Sequence, residues 1–254
     1  MMPRLFPILA FALLLGLATC GPAPDNDTPD PDTPTTPDTP SVDHTPPGSL
    51  VPSNSGPGNN DSTVYSPNMR FPLESGPAFL NSQIYGVGGS FGANDCTTTV
   101  CECDPRNYSL PWHDNFCESR SRVVRGCPTG GGHQGQDIRP ATCEDKTHWA
   151  VAAEDGRVTY LGKYSVYLLG EKTGIRYRYL HLEMAALAVS KGDRVKAGDR
   201  IGMVSRDFGT ALTTLHLHFD MNAPIKDAEG RPRNTYVSPY KSLVNAYERL
   251  ENTN

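Results

Sequence analysis

The chain has 254 residues, a formal net charge of −5 and seven cysteines. Seven acidic residues and no lysine or arginine lie between Gly21 and Met69, so the rest of the chain is close to neutral. The sequence contains no basic run and no patch of mixed basic and aromatic residues, which argues against a nucleic-acid-binding protein. The length suffices for one packed domain.

Residues 1–19 have the features of an export signal. Arg4 precedes an apolar run from Leu5 to Leu17, which is shorter than the roughly twenty residues that span a bilayer and has the length of a signal-peptide core. The run ends in Leu17-Ala18-Thr19-Cys20, which resembles the lipobox of bacterial lipoproteins. We therefore predict a lipoprotein signal peptide over 1–19, a membrane anchor through lipidated Cys20, and an outer-membrane lipoprotein that faces the periplasm. An ordinary secretory signal, giving a secreted or cell-surface protein, is the alternative.

Residues 20–64 are dominated by proline, aspartate, threonine, serine, glycine and asparagine. Repeated Thr-Pro and Asp-Pro steps favour extended backbone, and like charges keep such a segment open. Few apolar residues are available to drive folding. We predict a disordered acidic tether over 20–64 and a globular domain over 65–254.

The cysteines indicate an oxidising compartment, because six of them remain once Cys20 is set aside. An even set predicts up to three disulfides of undetermined pairing, and its members are Cys96, Cys101, Cys103, Cys117, Cys127 and Cys143. Five of the six lie in residues 93–127, which we interpret as a disulfide-rich insertion. A zinc site made of Cys96, Cys101, Cys103 and Cys117 is the alternative, but its spacing matches no common zinc ribbon.

Beyond the insertion, short runs of β-branched, aromatic and aliphatic residues predict closely spaced strands. Because short connections join antiparallel neighbours, the predicted fold class is mainly β, with an antiparallel sheet. The predicted strands are Trp149–Ala153, Gly156–Leu161, Ser165–Leu169, Ile175–Leu182, Arg200–Val204 and Leu215–Met221. One C-terminal helix is predicted, with Ser238 as its cap and Pro239 at its first position.

A histidine and a carboxylate lie four residues apart in His133-Gln134-Gly135-Gln136-Asp137. On a straight strand the two side chains would share a face but lie about 13 Å apart. One metal ion cannot be reached across that gap, so the strand must bend if both residues bind it. Gly135 is expected to permit the bend.

Three further histidines lie in short motifs. His216 and His218 point to the same face of a predicted strand, and His181 follows the end of another. The residues alone do not decide which of His216 and His218 would take a metal. His113 and His148 are interpreted as structural, because neither belongs to a motif.

Taken together, the order and spacing of these motifs resemble the lysostaphin-type (LytM-like) zinc metallopeptidases, over about residues 127–221. The resemblance rests on His133-x-Gly135-x-Asp137, Tyr179-Leu180-His181-Leu182, Val189-x-Lys191-Gly192-Asp193-x-Val195-x-x-Gly198-x-x-Ile201-Gly202 and His216-Leu217-His218-Phe219. It implies a LytM-like peptidase domain, a zinc site made of His133, Asp137 and His218, and two catalytic histidines, His181 and His216. Thr214-Leu215 and residues 205–210 depart from the family pattern where the walls of a substrate groove are expected.

Two histidines and one carboxylate leave the fourth tetrahedral position of zinc open to water, which is typical of a catalytic site. Proton transfer by the two remaining histidines would contribute roughly 10²–10⁴-fold in rate. The resemblance therefore implies a zinc metalloendopeptidase that hydrolyses the peptide cross-links of bacterial peptidoglycan. The sequence does not determine the oligomeric state, and a monomer is the expectation. The alternatives are a catalytically silent LytM-like regulator of wall amidases and an exported metallopeptidase that acts on proteins.

Overall fold

The computed structural model describes residues 41–82, 101–226 and 230–252, without the side chains of Cys101 and Ala211. The predicted signal peptide, Cys20 and the first half of the predicted tether lie outside these residues. Within them, no helix is both long and apolar enough to cross a membrane.

Twelve strands and one α-helix make up most of the described regular structure, together with short 3-10 turns at Cys101–Cys103, Pro105–Tyr108 and Met184–Ala186. The strands are β1 Phe79–Leu80, β2 Gln136–Arg139, β3 Trp149–Val151, β4 Gly156–Leu161, β5 Ser165–Gly170, β6 Arg176–Leu180, β7 Arg194–Val195, β8 Arg200–Met203, β9 Asp207–Phe208, β10 Ala211–Leu212, β11 Leu217–Lys226 and β12 Pro232–Val237. The helix α1 spans Tyr240–Glu251.

The main sheet has the order β1-β2-β11-β6-β5-β4-β7, and β12 also pairs with β11. All of its pairings are antiparallel, as are those of the two small sheets, β9 with β10 and β3 with β8. The predicted fold class, a mainly β domain with one C-terminal helix, is confirmed. The predicted strands are also found, with ends that shift by a few residues.

Strand β11 fixes the geometry that matters for function, because it pairs with β2 on one side and β6 on the other. In this register His218 lies opposite Asp137 of β2 and opposite Leu180 of β6. Since His181 directly follows Leu180, three of the predicted site residues meet at one end of the sheet.

One cluster of buried side chains includes residues of the main sheet, of α1 and of the loops. On the helix, the ring of Tyr247 lies 4.7 Å from the ring of Trp112 and 5.0 Å from that of Phe71, two loop residues. The helix begins one residue later than predicted, with Pro239 as its N-cap. The hydroxyl of Ser238 still accepts a hydrogen bond from the Tyr240 amide at 3.3 Å.

Residues 41–64 are not a disordered tether, so that prediction is wrong for this part of the chain. Leu50 is buried, the Thr45 amide donates to the Trp112 carbonyl at 2.9 Å, and the Gly48 amide donates to Asp114 at 2.9 Å. A few apolar side chains and satisfied backbone groups hold the segment against the domain despite its polar composition. The folded domain therefore starts before the predicted residue 65.

Two disulfides are present among the described cysteines, Cys103–Cys143 and Cys117–Cys127. Cys96 and the side chain of Cys101 lie outside the described structure. The alternative zinc site is excluded, because Cys103 and Cys117 are each bonded to another cysteine. The disulfide-rich segment is also integral to the core, since Trp112 and Phe116 within it are fully buried.

Candidate metal centre

The predicted bend between His133 and Asp137 is present. His133 lies in the loop before β2 and Asp137 within it, and Nε2 of the histidine lies 3.3 Å from Oδ1 of the carboxylate. Gly135 permits this path, because its backbone runs against β11 so closely that a Cβ there would lie 2.7 Å from Cβ of Asp220. A side chain at this position would collide with β11.

Three buried donor atoms converge at the end of the sheet. Nδ1 of His218 lies 2.9 Å from Nε2 of His133 and 3.0 Å from Oδ1 of Asp137. Tetrahedral zinc with bonds of about 2.0 Å separates its ligand atoms by about 3.3 Å, close to the spacings observed here. The donor set and its spacing fit a zinc ion, and the three residues form a group that could hold a metal.

The structure also distinguishes His218 from His216. Nδ1 of His218 points to the other two donors, whereas Nε2 of His216 lies 3.5 Å from Asp137 Oδ1 and the residue is outside the group of converging donors. The Nδ1–H of His216 donates to the Thr214 carbonyl at 2.8 Å. This bond leaves the lone pair of His216 on Nε2.

His181 lies beside His216, with 4.6 Å between the ring centroids. It follows β6 in the left-handed region, with φ of 71°, a strained conformation for a residue with a side chain. Its amide donates to the Tyr164 carbonyl at 3.0 Å. Nδ1 of His181 is buried and has no hydrogen-bond partner among the described residues.

Burial and neighbouring charges set the protonation of the site. Burial, reinforced by the nearby His216 and His218, holds the pKa of His181 well below its usual range, and burial lowers the pKa of His216 to about 4. Both histidines are therefore neutral at pH 7. Burial acts to raise the pKa of Asp137, but His133 and His216 hold it well below its usual range, so this group is a carboxylate.

A second carboxylate supports His218. Asp220 lies two residues further along β11, on the same face, and accepts from Nε2–H of His218 at 3.2 Å. It also forms an ion pair with the partly buried Arg178. Burial opposes protonation of His218, but the bonds to Asp137 and Asp220 raise its pKa overall. A carboxylate behind a ligating histidine fixes its tautomer and raises its basicity.

Asn115 was not predicted, and it bonds to two of the predicted metal ligands. Its backbone carbonyl accepts from His133 and its side chain bonds to Asp137. Asp220 could have been found from its spacing to His218 in a strand. No local pattern indicates Asn115, which lies in the disulfide-rich segment and reaches the site only through the tertiary fold.

One wall of the site carries aromatic side chains. Phe208 of β9 is 43% exposed, and its ring lies 4.9 Å from the ring of His181 and 5.9 Å from that of Tyr164. Phe208 belongs to residues 205–210, which depart from the family pattern.

The two histidines interpreted as structural have other partners. His113 contacts the Thr45 hydroxyl at 3.4 Å, and His148 contacts the Thr142 hydroxyl at 2.8 Å.

Residues 131–235 match the model of peptidase family M23. This matched part of the chain contains all five predicted metal and catalytic residues. The resemblance predicted from the motifs is thereby confirmed. No curated protein matches the chain.

Several solved structures are similar to the chain. A protein described as a glycyl-glycine endopeptidase LytM from Ruminococcus gnavus has 18% identity and a TM-score of 0.42, with 72% of this chain and 62% of that chain covered. The catalytic domain of the antimicrobial peptidase lysostaphin from Staphylococcus simulans has 23% identity and a TM-score of 0.38, with 51% and 88% covered. A zinc-containing peptidase from Vibrio cholerae has 25% identity and a TM-score of 0.30, with 47% and 34% covered. The chain thus spans less than two thirds of the Ruminococcus protein's length.

Proposed function

We propose that the protein is a zinc metalloendopeptidase that hydrolyses the peptide cross-links of bacterial peptidoglycan. The observation that carries the proposal is the convergence of His133 Nε2, Asp137 Oδ1 and His218 Nδ1, at mutual distances of 2.9 to 3.3 Å. Two further histidines, His181 and His216, lie beside this group. A domain that had lost catalysis would have no need to keep this complete set.

When bound at this site, zinc supplies Lewis acidity, because it lowers the pKa of water to about 7 and polarises a carbonyl group. His216 carries its lone pair on Nε2 and is neutral at pH 7, so it is suited to accept a proton from water. His181, which is also neutral at pH 7 and whose ring lies 4.6 Å from that of His216, is suited to hydrogen-bond the amide that is cleaved. Such proton handling contributes roughly 10²–10⁴-fold in rate.

The substrate class rests on the motifs, which resemble those of lysostaphin-type peptidases that act on wall peptides. The test is to incubate the purified, zinc-loaded chain with sacculi and separate the released fragments by chromatography. His181→Ala serves as the inactive variant, and His148→Ala, a histidine away from the centre, is its matched control. We expect the wild type and His148→Ala to release cross-link fragments and His181→Ala to release far less.

Parallel digests of casein distinguish the substrate classes. Cleavage of casein with sacculi left intact would replace the proposed substrate with protein. Intact cross-links and intact casein, with zinc shown to be bound, would instead favour a silent regulator of wall amidases.

The proposed location follows from the N-terminal sequence. Export with lipidation at Cys20 would place the domain at the envelope, where the cross-links are. Labelling with radioactive palmitate in a bacterial host should mark the wild type and not Cys20→Ala. Equal labelling of both, or release of the unlabelled wild type into the medium, would contradict the anchor.

A further inference from the structure

Asn115 is almost fully buried, with 1% of its surface exposed. It precedes the residues that match the peptidase family and belongs to the disulfide-rich segment. The backbone amide of Asn115 donates to Oε1 of Gln136 at 3.1 Å, and Gln136 is the first residue of β2. Asn115 therefore lies directly beside the strand that carries Asp137.

Asn115 contacts His133 through its backbone. The carbonyl oxygen accepts from the Nδ1–H of this histidine at 2.9 Å. A proton held on Nδ1 leaves the lone pair on Nε2, the atom that points to the other donors. This bond therefore selects both the ring orientation and the tautomer that a metal requires.

Asn115 contacts Asp137 through its side chain. Nδ2 donates to Oδ2 of the carboxylate at 3.1 Å, and Oδ1 accepts from the Asp137 amide at 3.2 Å. Because Oδ2 is occupied, Oδ1 of Asp137 is the oxygen left to face His133 and His218. Only an amide offers a donor and an acceptor here without charge, since aspartate would bring a second carboxylate oxygen against Oδ2.

We propose that Asn115 is the positioning residue of the metal centre, which aligns His133 and Asp137 for zinc through its backbone and side chain. The proposal rests on the proposed function only in that these two residues bind the metal. Outer-sphere partners of this kind change metal affinity by about 10–100-fold when they are removed.

The loop that carries Asn115 is held by the Cys117–Cys127 disulfide. The Cys117 amide donates to the His133 carbonyl at 3.0 Å, and the His133 amide donates to the Glu118 carbonyl at 2.8 Å. Cys117, two residues after Asn115, is bonded to Cys127. Zinc affinity should therefore depend on this disulfide. It should not depend on Cys103–Cys143, because the described hydrogen bonds of these two cysteines involve neither Asn115 nor His133.

The test measures the zinc dissociation constant of the full chain by competition with a chromophoric chelator. Asn115→Ala removes both side-chain bonds to Asp137, and its dissociation constant should rise about 10–100-fold. Asn107→Ala is the matched control, because Asn107 is an equally buried asparagine of the same segment that bonds to the Glu102 carbonyl. Its dissociation constant should stay near that of the wild type, even if its melting temperature falls.

A second pair of variants keeps the proposal testable if Asn115→Ala does not fold. Cys117→Ala/Cys127→Ala should raise the dissociation constant severalfold, whereas Cys103→Ala/Cys143→Ala should leave it unchanged. Equal affinities within every pair that folds would overturn the role of Asn115 while leaving the proposed function intact. A wild-type chain that binds no zinc would overturn both.

Discussion

Replacing Gly135 by alanine should damage the metal centre without touching a ligand. An added Cβ would lie 2.7 Å from Cβ of Asp220, and nearer still to the Phe219 carbonyl oxygen. Carbon atoms in ordinary contact are about 3.5–4.0 Å apart, so the loop and β11 would have to separate by about 1 Å. Backbone and Cβ atoms cannot yield in the way that the end of a flexible side chain can.

A shift of this size is large compared with the tolerance of a zinc site, where ligand distances hold within about 0.2 Å. Gly135 lies between His133 and Asp137, and the obstructing atoms adjoin His218. We therefore expect the zinc dissociation constant to rise by at least the 10–100-fold that outer-sphere changes cause. Overpacking costs about 1–3 kcal/mol, which lowers the melting temperature of a domain this size by about 2–12 °C.

The assay combines calorimetry of the metal-free chain with zinc competition titration. Gly202→Ala is the matched control. The one atom that the added Cβ would approach too closely is Cδ2 of Leu187, at 2.7 Å, and this atom is the far end of a flexible side chain. This variant should lose some stability and keep its zinc affinity. A Gly135→Ala chain that binds zinc as tightly as Gly202→Ala would refute the role given to the bend.

Two other predictions concern the substrate wall and the neutral histidines. Phe208→Ala should raise KM for wall peptides more than it lowers kcat, because the ring borders the site but contacts none of the proposed metal ligands. A KM equal to that of the wild type, with a reduced kcat, would contradict this. Because the pKa of His216 is lowered to about 4, the unfolded state binds more protons than the folded state between about pH 6.5 and 4. The metal-free chain should therefore lose stability as pH falls through that window, and His216→Ala should lose less; parallel slopes in pH-dependent melts would argue against a neutral buried His216.

The sequence predicted four strands of the main sheet, β4, β5, β6 and β11. It also singled out five candidate site residues that the structure brings together, because strands and His/Asp motifs leave short-range patterns. The glycine between His133 and Asp137 even indicated the bend. Residues 41–64 could not be predicted in the same way. Their composition is that of a tether, and the contacts that order them, such as Thr45 with Trp112, join residues far apart in the chain.

Asn115 escaped prediction for a similar reason. It lies 18 residues before His133 and 22 before Asp137, in a segment without periodicity. The pairing of the described cysteines could likewise not be predicted, because six cysteines allow many disulfide connectivities and the tertiary fold selects among them. Features set by tertiary contact thus required the structure.

The most direct test of the metal centre is the zinc content of the wild type, His218→Ala and His216→Ala, measured by elemental analysis after dialysis. The two substitutions remove buried histidines two residues apart, His216 directly before β11 and His218 within it. We predict about one zinc per chain in the wild type and in His216→Ala, with little or none in His218→Ala. Zinc lost from His216→Ala and kept by His218→Ala, or absent from the wild type, would contradict the assignment of His133, Asp137 and His218 as the ligands.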